Sequence, residues 1–239
     1  MTPAPLERKS SHIAGILTGG GNCPGINDAI HGAAKLATAR GWIVLGIEHG
    51  YKGLLSGRKF KEIHAYVPGG CLDNLYRKPG SVLGLSRTNP APENNLEIFD
   101  RNARIIREVI KKNRIDVLIA IGGDDTLGAA RRLTEAGVLR ANGAPKTIDN
   151  DIKGTQCSFG HRTAVEAGVP FAEGMKIEAE LYDRVSILQT MGRNAGWIAL
   201  EVGDRADADA TLIPEVQVRK YEVLKRIEDT MRNKGHALV

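Results

Sequence analysis

Short apolar runs that each give way to a glycine-bearing turn and then a helical stretch set the strongest limit on how this chain folds. The runs Ile13–Thr18, Trp42–Ile47, Ile115–Ile121, Arg184–Thr190 and Ala210–Ile213 have the length of buried strands. Longer amphipathic stretches fill the gaps, at Gly25–Arg40, Asn94–Asn113, Leu127–Ala136, Arg162–Leu181 and Val218–Asn233. This βαβ punctuation predicts parallel strands flanked by helices, an α/β fold of doubly wound type. The last four residues, His236–Val239, read as the start of a further strand, and the second half is expected to be incomplete at its C-terminus. Three regions are expected: a flexible N-terminus over 1–12, one domain over 13–150, and a partial second domain over 151–239.

Glycine accounts for 28 of the 239 residues, about 12% against a usual ~7%, which predicts tight turns and close backbone approach to a ligand. The net charge of +5 suits an anionic ligand. Because no basic tract with interleaved aromatics concentrates that charge, a small phosphorylated molecule fits better than nucleic acid. The three cysteines, Cys23, Cys71 and Cys157, have neither CxxC nor Cys/His spacing, and their odd number argues against a disulfide framework. A reducing cytoplasm is the expected setting. Residues 1–12 carry no apolar signal core, and no apolar stretch approaches the ~18 residues of a membrane helix, so no membrane partner is expected.

Five segments carry candidate chemistry. "LTGGGNCPGIND", Leu17–Asp28, places three glycines between a strand and a helix, where backbone N–H groups converge on an anion. A tight βα turn uses the same residues, and no GK[ST] follows to make a Walker A loop. "PGSVLGLSRTNP", Pro79–Pro90, sets Arg87 in a turn-rich loop where it could clamp phosphate, or simply be solvated. "IGGDDT", Ile121–Thr126, ends a buried strand, the side on which α/β sheets bind ligands. Asp124 there could hold a hydrated Mg²⁺, while Asp124 and Asp125 could equally cap the following helix. "PKTIDNDIKG", Pro145–Gly154, offers carboxylates for a sugar hydroxyl or an Asx-turn. "QTMGRNAGW", Gln189–Trp197, again follows a strand.

The ordered set GGGxxPGxN, GxSRT, GGDDT, PKTIDND and MGRxxGW, over roughly residues 13–239, resembles the phosphofructokinase family. The resemblance implies two Rossmann-like domains and phosphoryl transfer to the 1-hydroxyl of fructose 6-phosphate. It implies that Asp149 accepts the hydroxyl proton, with Thr147 and Ile148 beside it on the sugar. Asp124 would hold Mg²⁺ at the donor phosphates, and Gly21, Arg87 and Thr126 would lie along them. Met191, Gly192 and Arg193 would line the sugar-phosphate site, with Arg193 steadying the transferring group. Arg184 matches an arginine that reaches the 6-phosphate of a neighbouring subunit, so an oligomer with shared active sites is implied.

The donor turns on two positions. Family members that use ATP resemble GGDG and commonly PGTIDND, whereas those that use pyrophosphate resemble GGDD and PKTIDND. This chain has Asp125 and Lys146. A carboxylate at Asp125 would repel a nucleotide α-phosphate, and Lys146 would add a cation for a donor lacking adenosine. Pyrophosphate is the favoured reading, ATP the second, and a non-catalytic subunit that retains the fold the third. Departures from the family pattern are Asn22 in place of an aspartate, His161 and Arg162 at the start of a helix, and "LRANGA", which lacks the expected apolar strand before Pro145.

Overall fold

The computed structural model describes residues 12–76 and 78–239 and divides the chain between Lys146 and Thr147 into two compact units. In the first unit the elements run β1 (Ile13–Thr18), α1 (Ile26–Ala39), β2 (Ile43–Ile47), α2 (Gly50–Ser56), β3 (Phe60–Glu62), α3 (Leu96–Lys112), β4 (Val117–Gly122), α4 (Asp124–Glu135) and β5 (Ala141–Thr147). Their strands are ordered β3-β2-β1-β4-β5, with β3 antiparallel and the others parallel. Apolar side chains of β1, β2 and β4 (Leu17, Ile47, Leu118, Ala120) pack with Tyr51 and Leu54 of α2, Ile106 of α3, and Ala129 and Leu133 of α4. Helix α1 buries Ile26, Ile30 and Ala34 at helical spacing.

This order places a topological switch at β1. The chain leaves β1 toward β2 on one side and returns through β4 on the other, so the turns after β1 and β4 part at the carboxyl edge of the sheet. Register fixes their proximity. Thr18 lies opposite Ile121, and Gly122 opposite Pro145, so residues 19–21, 122–125 and 146 all emerge from one edge.

The second unit contains β6 (Phe159–Gly160), α5 (His161–Leu181), β7 (Val185–Ser186), α6 (Trp197–Arg205), α7 (Lys220–Lys234) and β8 (Ala237–Leu238). Its core joins Val165, Val169 and Ala172 of α5 to Ile198 and Val202 of α6 and Leu238 of β8. Strands β7 and β8 are parallel, and their bonding continues past them, from Leu188 N to Val239 O (2.8 Å). Asp209 ties this sheet to α7: it accepts from Lys234 Nζ at 2.6 Å and from the Leu238 N–H at 3.0 Å.

Burial pushes the Asp209 carboxyl up, but the Lys234 ammonium and the Leu238 N–H outweigh it and hold the group below the usual carboxylate range. The resulting stability is present above the unfolded pKa of ~3.9 and is lost as pH falls through the lower folded value. Asp209→Asn is therefore expected to lower stability by about 1–3 kcal/mol at pH 7. In thermal unfolding scans, its midpoint is expected to converge with the parent's at strongly acid pH.

Several expectations from the sequence are corrected. Ala210–Ile213 is not a strand, because only Ala210 N reaches β8, at 3.4 Å to Leu238 O, and Pro214 follows. The run at Arg184–Thr190 is a strand over Val185–Ser186 alone. "LRANGA" does supply a strand, since Ala141–Thr147 pairs along β4 despite its weak β propensity. Helix α4 starts at Asp124 rather than Leu127, and α2, α6 and β3 carry no periodic signal long enough to read. The segment 1–12 lies outside the described residues apart from His12, which stacks on Trp42 with ring centroids 5.0 Å apart.

Candidate active site

In the first unit the glycine turn is held from three directions. Gly19 N donates to Ile121 O at 2.9 Å, and Gly20, at φ 81°, donates to Ser86 O at 2.9 Å. The Lys146 ammonium reaches across from β5 to Gly21 O at 2.7 Å, and that side chain is only 4% exposed. The Thr126 side chain fills the space between the turns after β1 and β4. A Cβ on either Gly19 or Gly122 would overlap it, so neither position accepts a larger residue without displacing α4. Thr126 is itself fixed through its carbonyl, which accepts from the buried Tyr51 hydroxyl at 3.0 Å, and burial raises that phenol far above its ordinary pKa.

Asp124 and Asp125 occupy the first turn of α4 and are exposed. Arg87 is exposed, and a Cβ at Gly21 would lie 3.9 Å from its Nη2. The first unit thus gathers Gly21, Thr126 and Lys146 into one connected turn, with Arg87 at its border. Asp124 and Asp125 sit at the adjacent strand end.

In the second unit Thr147, the last residue of β5, leads into a loop at Ile148 and Asp149 that is secured mainly through its backbone. The Asp149 N–H donates to Thr147 Oγ1 (3.1 Å), and Ser158 Oγ donates to Thr147 O (2.8 Å). Asn150, at φ 53°, accepts from Ser158 N (2.9 Å). His161 Nδ1 lies 2.7 Å from Ile148 O and its Nε2 lies 2.9 Å from Glu201 Oε1. Carboxylate oxygen Oδ1 of Asp149 is shielded from solvent. Ser158 and Glu201 had no signal in the sequence. His161 had one, as a departure at a helix start, and the partners facing both ring nitrogens explain why a buried polar residue is tolerated there.

The remaining expected residues are more open. Arg184 pairs with Glu178 at 2.6 Å and lies over the Tyr182 ring at 5.1 Å. Met191 is 67% exposed, Arg193 is exposed, and Gly192 has φ 117°, with the Ala195 carbonyl where a Cβ would go. Met191 and Gly192 line a cavity of about 320 Å³ with Leu188, Leu212 and Val239. Its lining carries no charged side chain, and Arg184 and Arg193 are not part of it.

Among the described residues no group of three or more His, Cys, Asp or Glu side chains could by itself hold a metal ion. Mg²⁺ keeps several waters and needs only one or two carboxylates together with substrate phosphate. Asp124, exposed beside a glycine turn, fits that role. None of the three cysteines is in a disulfide, and among the described residues no helix is long and apolar enough to cross a membrane.

Comparison with known proteins decides the family. The phosphofructokinase family model matches residues 13–239. The chain belongs to the phosphofructokinase family. It is 40% identical over 225 residues to the pyrophosphate--fructose 6-phosphate 1-phosphotransferase of Thermoproteus tenax, covering 94% of this chain and 63% of that protein. It is 38% identical over 235 residues to the ATP-dependent 6-phosphofructokinase of Spirochaeta thermophila, covering 96% and 62%. The chain therefore spans about three fifths of the length of these curated relatives. Its fold matches the pyrophosphate-dependent phosphofructokinase of Nitrosospira multiformis with a TM-score of 0.82 at 21% identity, covering 96% of this chain and 60% of that one. Phosphofructokinases with pyrophosphate and with ATP in their names stand at similar identity, so the donor is not decided by kinship.

Proposed function

We propose that this phosphofructokinase-family chain serves phosphoryl transfer from pyrophosphate to the 1-hydroxyl of fructose 6-phosphate, giving fructose 1,6-bisphosphate. The observation that carries the reading is the glycine turn tied to the buried Lys146, with Asp124 and Asp125 exposed at the neighbouring strand end. Backbone N–H groups of that turn, with Arg87, bind donor phosphates. Mg²⁺ at Asp124 neutralises charge on the donor when bound. Asp149 takes the proton from the sugar hydroxyl, Thr147 and Ile148 shape its surroundings, and Met191, Gly192 and Arg193 orient the sugar phosphate. Such a reaction depends on positioning and charge neutralisation rather than covalent chemistry.

Asp125 supports pyrophosphate by placing a carboxylate whose like charge disfavours a nucleotide α-phosphate. ATP is the second reading, favoured by the relatives named for it. Arg184, exposed and held by the equally exposed Glu178, is available to a neighbouring subunit, which supports a homo-oligomer with shared sites. Three cysteines without CxxC or Cys/His spacing fit a reducing cytoplasm.

Initial rates of the purified protein with fructose 6-phosphate, Mg²⁺ and either donor test the proposal. Turnover is expected with pyrophosphate; faster turnover with ATP would reverse the donor assignment. Asp125→Gly is expected to raise kcat/KM for ATP by about tenfold, the effect of relieving roughly 1.4 kcal/mol of repulsion. An ATP rate that stays at the parent's level in this variant removes Asp125 as the excluding group.

A further inference from the structure

A cleft of about 490 Å³ in the first unit is lined by His49, Lys52, Lys59 and Arg87 together with the hydroxyls of Ser56, Ser86 and Thr88. No carboxylate lines it, and Leu85 is its one large apolar side chain. Glu48, next in sequence to His49, is engaged elsewhere: Lys61 lies 3.2 Å away and its hydrogen bond holds the carboxyl below the usual range. The cleft adjoins the glycine turn, because Ser86 O accepts from Gly20 N and Arg87 approaches Gly21.

His49 marks this wall as built. It adopts a left-handed backbone conformation (φ 57°), unusual for a residue with a side chain. Its N–H donates to Leu83 O at 2.7 Å, and its ring packs so closely on Gly84 that a Cβ there would come within 2.8 Å of Nδ1. The imidazole thus held against Gly84 lines the same cleft as Lys52.

We infer that this cleft binds the trailing phosphates of a linear inorganic polyphosphate, making chains longer than pyrophosphate donors at the same site. This rests on the donor reading above. Pyrophosphate carries too few charges to engage the glycine turn, Arg87 and three further basic groups together, whereas each added phosphate brings another anion. Apart from the His49 imidazole, the lining offers no aromatic ring on which a nucleobase could stack, and Leu85 is the one large aliphatic side chain there. In the transfer, the sugar C1 oxygen bonds to the terminal phosphorus and the bridging P–O bond breaks. The chain leaves one phosphate shorter, and the hydroxyl proton passes to Asp149.

Calorimetric titration of the protein with tripolyphosphate, pyrophosphate and ATP in parallel tests this. Tripolyphosphate is expected to bind about tenfold more tightly than pyrophosphate, with the advantage shrinking as salt rises. The double variant Lys52→Ala/Lys59→Ala, altering two exposed side chains, is expected to erase that advantage while leaving pyrophosphate affinity and turnover intact. Equal affinity for the two anions, or an advantage that survives in the double variant, overturns the inference alone. ATP binding as tightly as tripolyphosphate and weakening equally in the variant makes the cleft a nucleotide site and also overturns it. Absence of binding by either inorganic anion defeats the donor reading itself and this inference with it.

Discussion

Asp149→Asn is expected to lower kcat for phosphoryl transfer to fructose 6-phosphate by about 10²–10⁴-fold while KM for the sugar stays near the parent value. The split follows from how the loop is held. Its anchors are the Thr147 hydroxyl and carbonyl, the Ser158 hydroxyl, the Asn150 amide and the His161 ring on the Ile148 carbonyl. None of these contacts uses the Asp149 carboxylate. Asparagine keeps the size of the side chain and the backbone donor to Thr147, so these anchors are retained while the carboxylate that accepts the proton is lost. Steady-state kinetics with pyrophosphate as donor provide the measurement. A kcat within a few fold of the parent would remove Asp149 as the base, whereas a large rise in KM at constant kcat would make it a binding group.

The same loop illustrates what sequence makes legible. Its motif is compact and polar, so the chemistry of Thr147 and Asp149 can be read from residue types and order. Its supports cannot. Ser158 and Glu201 lie 8 and 51 positions beyond Asn150 and are brought in by folding, with no local pattern to announce them. Strands β1 and β4 are readable because aliphatic runs at the sheet centre satisfy both packing and propensity. Strand β5 is not, because "ANGAPKT" owes its conformation to its hydrogen-bonding neighbour β4 rather than to its own residues. Helix α2, seven residues with two glycines, likewise depends on burying Tyr51 and Leu54. The GGDDT segment was readable as a strand end followed by a carboxylate pair. That Thr126 wedges between Gly19 and Gly122 becomes visible only once β1 and β4 are side by side.

Lys146 is the second position where a large effect is expected. From sequence it reads as a cation for the donor; in the fold it is buried, with its ammonium on the Gly21 carbonyl at 2.7 Å. Burying an ammonium is costly unless strong acceptors meet it, so the contact with the glycine turn is one a replacement must lose. Methionine retains most of the unbranched stem and removes the charge, separating packing from electrostatics. Lys146→Met is expected to reduce stability by about 1–3 kcal/mol, because the Gly21 carbonyl loses a charged donor. It is also expected to weaken pyrophosphate binding by roughly 10–100-fold, the equivalent of losing one charge-assisted hydrogen bond and the turn geometry it maintains. Thermal unfolding and calorimetric titration with pyrophosphate report the two effects independently. A lower unfolding midpoint with unchanged pyrophosphate affinity would confine Lys146 to a structural tie and move the donor's cationic recognition onto Arg87. Loss of affinity at a preserved midpoint would instead mean that the ammonium acts on the donor charge directly and that the turn keeps its shape through Ile121 and Ser86 alone.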